Sequence, residues 1–354
     1  MALNATAMLF GRFQIVFVTL WPLSTLLLLP SKIKVSYFSY LHLYFFSISL
    51  FSFSYILITS EYTQDVIYPI KCLLSIFLVC LAGIINQKTV TDHVNFLNIL
   101  GLLSISIFLL SFIGGSFTQQ QWIGGAYNGF FANRNGCAFF FSLLSCYYLG
   151  KFLNNGNLVH ICYFFMLSVI VLLTMSRTGF GATVLLYSYL AWFYIKLRPM
   201  LFLPLVIIAS SIVYVALREL ITEIEILFQI LLLINGEGHN VSERQSVYAY
   251  GFYLLENAPI FGYGFYTFGD LSPYLKTHAH NIFIQGFADL GILFVPIFVG
   301  YLLYFITSLR NLIIGRSHTQ SLVFVVYILF SLVTLPIATP TSAIALGLLM
   351  RKDT

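Results

Sequence analysis

The feature that most constrains this chain is a succession of apolar segments, each long enough to cross a lipid bilayer as one α-helix. A transmembrane helix needs about 20 predominantly apolar residues. The sequence therefore predicts an all-α fold, a polytopic transmembrane helical bundle of about 11 spans forming one integral membrane domain over residues 1–354. The spans are predicted near 13–30, 36–59, 66–86, 94–113, 136–150, 159–175, 179–195, 199–217, 281–307, 319–337 and 340–350.

Composition excludes several classes of protein. Hydrophobic residues make up 59% of the chain and charged residues only 8%, whereas a soluble domain carries about 25% charge. The basic residues do not gather on a soluble face, so no nucleic-acid partner is expected. The 5 cysteines have no paired spacing, which argues against a disulfide framework and against a zinc site. No cofactor is expected.

One long polar segment, residues 218–280, interrupts the apolar pattern, and a shorter break lies at 114–135. Lys and Arg gather in cytoplasmic loops, and the pattern satisfies this rule only if 218–280 is an external loop. The carboxyl terminus is then cytoplasmic. The basic residues that fall inside under this orientation are Lys32, Lys34, Lys88, Lys151, Lys196, Arg198, Arg310, Arg316, Arg351 and Lys352.

The basic residues that fall on the external side are the informative exceptions. Arg134 lies in N-G-F-F-A-N-R-N-G just before a predicted helix, and Arg177 lies in the short turn M-S-R-T-G. A guanidinium this close to hydrocarbon is costly unless it is paired or faces a polar cavity. Several external cations, with Arg244 and Lys276 in the loop, indicate a polyanionic ligand because the guanidinium fork matches phosphate oxygens. Snorkelling to lipid headgroups is the alternative.

A histidine pair marks the return of the external loop to the membrane. His278 and His280 lie in T-H-A-H-N, directly before the apolar segment that begins near Asn281. Imidazole is the side chain best suited to accept a proton at neutral pH. The alternative is that the two histidines lie at the membrane interface and bind no ligand. A metal site is not expected, because the sequence offers no third ligand at a metal-binding spacing.

The external loop also contains a segment with helical periodicity. Apolar and aromatic positions recur at helical spacing over residues 243–257, which predicts an amphipathic helix that ends before Pro259, Gly262 and Gly264. Aromatic side chains such as Tyr248, interleaved with acids such as Glu243, are typical of a surface that contacts sugar rings. Interfacial packing is the alternative reading of this pattern.

The order of these motifs resembles the O-antigen polymerase and O-antigen ligase superfamily. The ordered set comprises an N-x-N-G helix start, an S-R-T-G turn, an external E-R, then P-I-F-G-Y-G-F and H-A-H-N-I-F-I-Q-G-F-A-D-L-G-I. The resemblance covers about residues 120–295. Two branch signatures are absent: Phe294 replaces the Gly, Thr or Tyr of the ligase branch, and Leu255 replaces a Gly of the polymerase branch.

The resemblance implies a metal-independent membrane glycosyltransferase at the periplasmic face of the bacterial inner membrane, with 218–280 as a periplasmic loop. The expected function is that of an O-antigen polymerase, which transfers glycan from undecaprenyl pyrophosphate to another lipid-linked repeat unit. O-antigen ligase activity, with lipid A-core as acceptor, is the alternative. A flippase is less favoured because no internal repeat of spans is found.

The resemblance also suggests roles for individual residues and partners. His280 is expected to be the catalytic base or to orient the acceptor, with Arg244 and Arg177 on the pyrophosphate and Arg134 in support. The expected partners are the undecaprenyl-pyrophosphate-linked oligosaccharide, membrane lipid and a chain-length regulator protein. The remaining candidate substrate-binding residues are Arg134, Asn135, Glu243, Tyr248, Lys276, His278 and Asn281.

Overall fold

The computed structural model describes residues 37–59, 67–84, 134–197, 239–257, 260–268 and 279–333, with isolated positions at 99, 102, 105–106, 122–123, 126–127, 131, 346–347 and 349–350. The predicted spans at 13–30 and 199–217 lie outside these residues, as do most of 94–113 and 340–350. The helices are α1 (Tyr37–Thr59), α2 (Ile67–Ile84), α3 (Arg134–Asn155), α4 (Leu158–Leu173), α5 (Arg177–Leu197), α6 (His239–Asn257), α7 (Ile282–Leu290), α8 (Val295–Ile314) and α9 (His318–Ser331).

The fold is helical, as predicted, and six predicted spans correspond to α1–α5 and α9. The boundaries of α3 and α9 differ most: α9 ends at Ser331, six residues before its predicted end, whereas α3 begins at Arg134 and ends at Asn155, five residues beyond the predicted end. The turn that follows explains where α3 ends. Gly156 takes a left-handed conformation (φ 67°), and Asn157 caps α4 by accepting a hydrogen bond from the backbone N–H of Val159 (2.9 Å).

The predicted span at 281–307 is not one regular helix. A 3₁₀ turn, Gly291–Phe294, separates α7 from α8, because Gly291 has a positive φ (55°) and Pro296 at the start of α8 lacks a backbone N–H. Helix α7 folds back along α8, since the ring of Phe283 lies 5.7 Å from that of Phe298 and 6.3 Å from that of Tyr301. Within the run of 33 residues from Ile282 to Ile314, only α8, with 20 residues, has the length of a transmembrane span.

The centre of the described bundle is formed by α3 and α9. Every residue from Cys137 to Gly150 is buried. The ring of Phe139 lies 5.0 Å from that of Phe330 and 6.3 Å from that of Tyr327. At the other end of the pair, Gly150 packs so closely on Thr319 that an added Cβ would clash with it. The two helices are therefore antiparallel.

Other helices turn large apolar faces outward. On α4, Phe165 is 44% and Val169 48% exposed, and on α8 Leu303 is 55% and Ile306 54% exposed. By length and composition, two helical stretches of the described chain could cross a membrane: Arg134–Asn155, and the run Ile282–Ile314, which contains α8. Contiguous apolar surface of this kind is unusual on a soluble monomer and suits contact with lipid. These features support a membrane protein.

One small element departs from a purely helical fold. Residues Trp122–Ile123 and Ala126–Tyr127 form two-residue antiparallel strands, β1 and β2, with Trp122 opposite Tyr127. They lie in the polar break at 114–135, where no regular structure was predicted. Tyr127 is buried, so this hairpin contacts the bundle.

Candidate functional site

Two helix starts that carry arginines lie side by side. Arg134 is the first residue of α3 and Arg177 the first residue of α5. The hydroxyl of Ser176, directly before α5, donates a hydrogen bond to Oδ1 of Asn135 (2.8 Å). One side-chain bond therefore joins the beginnings of the two helices, and it places the predicted residues Arg134, Asn135 and Arg177 together.

The turn before α5 is held by its own polar groups. Ser176 Oγ accepts a hydrogen bond from the N–H of Gly179 (3.2 Å) and so caps α5. Thr174 Oγ1 donates to the carbonyl of Val171 (2.6 Å) and accepts from the N–H of Ser176 (3.3 Å). Met175, between them, has a φ of 51°. The short turn that the sequence indicated is therefore tightly constrained, and Arg177 beside it is half-buried.

The helix pairings place the start of α8 at this same end of the bundle. Tyr301 on α8 hydrogen-bonds Tyr327 on α9 through their hydroxyls (3.0 Å), and the ring of Tyr304 lies 4.5 Å from that of Phe324. Thus α8 runs antiparallel to α9, which runs antiparallel to α3. Helix α8 therefore begins at the end where α3 and α5 begin. Helix α7 folds back along it, so the start of α7 lies beside the first two turns of α8, where the ring of Phe283 is 5.7 Å from that of Phe298 and 6.3 Å from that of Tyr301.

Converging helix starts have an electrostatic consequence. Each helix amino terminus carries about half a positive charge from its unpaired N–H groups, and such ends are ready sites for phosphate. The starts of α3 and α5 add two guanidinium groups, Arg134 and Arg177. This end of the bundle therefore favours a polyanion.

The start of α7 is formed by the predicted pair His280 and Asn281. Asn281 is the amino-terminal cap: its Oδ1 accepts hydrogen bonds from the N–H groups of Phe283 (2.9 Å) and Ile284 (3.2 Å). His280 is half-buried and has a φ of 52°. Asn281 thus has a structural role that the sequence analysis did not foresee, and its contact with substrate stays a prediction.

The helix predicted in the external loop exists as α6. It begins four residues before the predicted start, at His239, and ends at Asn257, before Pro259. Its buried positions Val247, Gly251 and Leu254 recur at helical spacing. They pack α6 against α7, and a Cβ at Gly251 would lie 2.5 Å from Ile284 Cγ2. The buried cluster they join is Val247, Leu254, Phe268, Ala279, Ile284 and Ala288.

The packing of α6 on α7 brings further predicted residues near His280. Glu243 and Arg244 lie on α6, the helix that packs on the one capped by Asn281, although their side chains are outside the described residues. The hydroxyl of Tyr248 donates to the carbonyl of Leu332 at the end of α9 (3.2 Å), which holds α6 over that end of the bundle. Lys276 and His278 lie outside the described residues.

Two further groups of polar residues were not predicted to belong to the site. His42, fully buried, lies 3.1 Å from the Tyr301 hydroxyl through its Nε2. No spacing in the sequence links these residues. Gln285 and Asp289 form a second buried group on α7, for which an acid within an apolar segment was the available signal. Among the described residues, no cluster of three His, Cys, Asp or Glu side chains could hold a metal ion.

Taken together, the fold and site define a helical membrane protein with cationic helix starts and a histidine at one end of its bundle. A family model described as O-Antigen ligase matches residues 162–299, less than half of the chain. The match supports the O-antigen ligase and polymerase superfamily, and the resemblance predicted from the motifs is confirmed. Proteins of this family are membrane glycosyltransferase-like enzymes. No curated protein matches the chain.

The matched stretch runs from α4 into α8 and includes Arg177, Arg244 and His280. Arg134 and Asn135 lie outside it. The hydrogen bond from Ser176 to Asn135 joins the start of α3 to the matched stretch.

Proposed function

We propose that this chain is an O-antigen polymerase, which transfers glycan from an undecaprenyl-pyrophosphate donor to the sugar of another lipid-linked repeat unit at the periplasmic face of the inner membrane. The observation that carries the proposal is the pair of joined helix starts that bear Arg134 and Arg177, at one end of a bundle whose sequence matches the family. His280 precedes α7, whose start lies beside the first two turns of α8 in the same half of the bundle.

In this reaction the cationic end of the bundle binds the donor pyrophosphate. The anomeric carbon–oxygen bond to phosphate breaks, and undecaprenyl pyrophosphate leaves with the electron pair. Arg134, Arg177 and the helix N–H groups stabilise the leaving oxygen electrostatically, which requires no metal ion. Arg244, on α6, completes the set because α6 packs against α7.

The acceptor hydroxyl forms the new glycosidic bond and must lose a proton. His280 takes that proton as general base, a contribution of about 10²–10⁴-fold in rate. The proposal is supported by the location of His280 directly before the cap of α7, in the half of the bundle where α3 and α5 begin. Glu243, Tyr248, Lys276, His278 and Asn281 are assigned to contacts with the sugars and the phosphates.

O-antigen ligase activity is the second candidate, and the description of the matched family favours it. The two reactions share donor, leaving group and base, and differ in the acceptor. Deletion of the gene followed by gel analysis of surface polysaccharide separates them. A single repeat unit on the lipid A-core indicates loss of a polymerase, no repeat unit indicates loss of a ligase, and an unchanged ladder contradicts both.

The proposal also requires the external loop to face the periplasm. Single cysteines at Gly238 and Gly315, in a background without the native cysteines, test this. An impermeant thiol reagent applied from outside should label position 238 and spare position 315, at the end of α8. The reverse pattern would move the arginines to the cytoplasmic side and exclude a periplasmic donor site.

A further inference from the structure

A buried carboxamide joins the segment before His280 to the middle of α7. Gln285 is 5% exposed; its Oε1 accepts a hydrogen bond from the N–H of Ala279 (2.9 Å) and its Nε2 donates to Oδ2 of Asp289 (2.9 Å). A carboxylate only accepts and a backbone N–H only donates. The two neighbours therefore permit a single orientation of the carboxamide.

Asp289 in turn holds the loop between α6 and α7. It is 2% exposed, and the same Oδ2 accepts a hydrogen bond from the N–H of Tyr266 (2.7 Å). Its other oxygen is buried without a hydrogen-bond partner among the described residues. The backbone follows the same path, since the N–H of Gly264 donates to the Asp289 carbonyl (2.8 Å) and that of Tyr263 to the Ala288 carbonyl (2.9 Å).

The close approach of loop and helix has a steric basis. Gly262 and Gly291 both have positive φ angles (76° and 55°). Their backbones are so close that a Cβ on Gly262 would lie 2.6 Å from the nitrogen of Gly291. The loop therefore lies directly on the end of α7, where Asp289 can reach it.

His280 needs such support. Its φ of 52° is a left-handed conformation, which residues with a Cβ adopt only when their surroundings determine it. Asn281 fixes the chain after it by capping α7. Gln285 fixes the chain before it through Ala279. The backbone of His280 is thus held on both sides, by the Asn281 cap after it and by the bond from Ala279 to Gln285 before it.

We propose that Gln285 and Asp289 are positioning residues for His280: Asp289 orients the Gln285 carboxamide, and Gln285 holds the Ala279 peptide so that the His280 imidazole faces the acceptor. This inference rests on the proposed function, in which His280 is the base. Neither residue contacts the reacting atoms. Their effect is on the geometry of proton transfer, where a displacement of about 1 Å can cost about 100-fold in rate.

The first test is Gln285→Met, which keeps the length of the side chain and removes both hydrogen bonds. The purified full-length chain, with a lipid-pyrophosphate oligosaccharide donor and a lipid-linked acceptor, should show a kcat about 10–100-fold lower with the donor KM within about twofold of wild type. Thr267→Val is the matched control. It removes a hydrogen bond within the same loop, from Thr267 Oγ1 to the Gly264 carbonyl (2.8 Å), without touching Gln285.

A pair of variants tests the coupling of the two residues. In Gln285→Glu, the new side chain still accepts the hydrogen bond from the N–H of Ala279. Its second carboxylate oxygen faces the carboxylate of Asp289, and the repulsion between them should lower kcat. Asp289→Asn should lower kcat in the wild-type background, because it weakens the acceptor for Gln285. In the Gln285→Glu background the same change should raise kcat about tenfold, because it removes the repulsion between the two carboxylates. Additive losses in the double variant would overturn the proposed coupling.

Hydrogen exchange gives a readout that does not depend on activity. Peptides covering residues 279–285 should exchange faster in Gln285→Met than in wild type, with unchanged exchange in Thr267→Val. If wild type transfers no glycan, the proposed function fails, and faster exchange still supports the anchoring of Ala279. If wild type is active and Gln285→Met equals it in both kcat and exchange, the positioning role is wrong while the proposed function stands.

Discussion

The two sides of the candidate site are built in different ways. On the arginine side, Arg134 and Arg177 are first residues of long helices, and one side-chain bond between Ser176 and Asn135 joins their starts. On the histidine side, His280 follows a loop that folds back on α7 through several backbone bonds and the buried Gln285 and Asp289.

This difference matches the two demands of the proposed reaction, glycosyl transfer from a pyrophosphate. Charge stabilisation acts over several ångströms and tolerates small displacements, so helix starts inside a bundle suffice for it. Proton transfer requires hydrogen-bond distance to the acceptor, and so its base needs support from both directions along the chain. We therefore expect substitutions on the histidine side to affect turnover and those on the arginine side to affect donor binding as well.

The largest effect is expected for His280→Ala. Loss of the base should lower kcat by about 10²–10⁴-fold and leave donor binding by the arginines nearly unchanged. The measurement is glycan transfer by the purified enzyme in EDTA. His278→Ala, two residues away in the loop, is the matched comparison and should cost less. Wild-type turnover by His280→Ala would remove the proposed base, and loss of wild-type activity in EDTA would restore a metal as a candidate.

A smaller effect is expected for Arg244→Lys, which tests geometry at constant charge. The ammonium group keeps the attraction to phosphate but lacks the bidentate fork, so polymer formation should fall about 10–100-fold, with a higher donor KM. Arg310→Lys is the matched control, because Arg310 is exposed near the opposite end of α8. Equal polymer length in Arg244→Lys and Arg310→Lys cells would place Arg244 outside the donor site.

The sequence was a good guide to the helices and to the arginine side. Apolar length predicted α1–α5, and the motif M-S-R-T-G predicted a tight turn whose internal bonds, between Thr174, Ser176 and Gly179, are local. Local hydrogen bonds of this kind follow from residue type and spacing. The positions of Arg134 and Arg177 at helix starts follow from the same local pattern. The bond from Ser176 to Asn135 spans 41 residues and was not predicted.

The histidine side could be predicted only in part, because its contacts join distant residues. The pair His280 and Asn281 was found from its position before an apolar segment, but the bond between Tyr266 and Asp289 spans 23 residues. The contact of His42 with Tyr301 spans 259 residues. Hydropathy shows that a polar residue lies within an apolar segment, yet it does not identify the partner.

The smallest predicted effect separates stability from function on the arginine side. Ser176→Ala removes the cap of α5 and the bond to Asn135, and Asn157→Ala removes the cap of α4. Asn157 follows the other end of α3 and is exposed. Each change should cost about 1 kcal/mol of stability, which is measured as a lower thermal unfolding midpoint in detergent.

Only Ser176→Ala should also change the reaction, because only this cap joins the two helix starts that carry arginines. We expect a donor KM several-fold higher in Ser176→Ala and a donor KM equal to wild type in Asn157→Ala. Equal thermal shifts with equal KM values in the two variants would show that the bond between Ser176 and Asn135 serves the bundle alone. Donor binding would then depend on Arg177 and Arg244 and would not require the bond to α3. Arg134 would no longer be assigned to the pyrophosphate site.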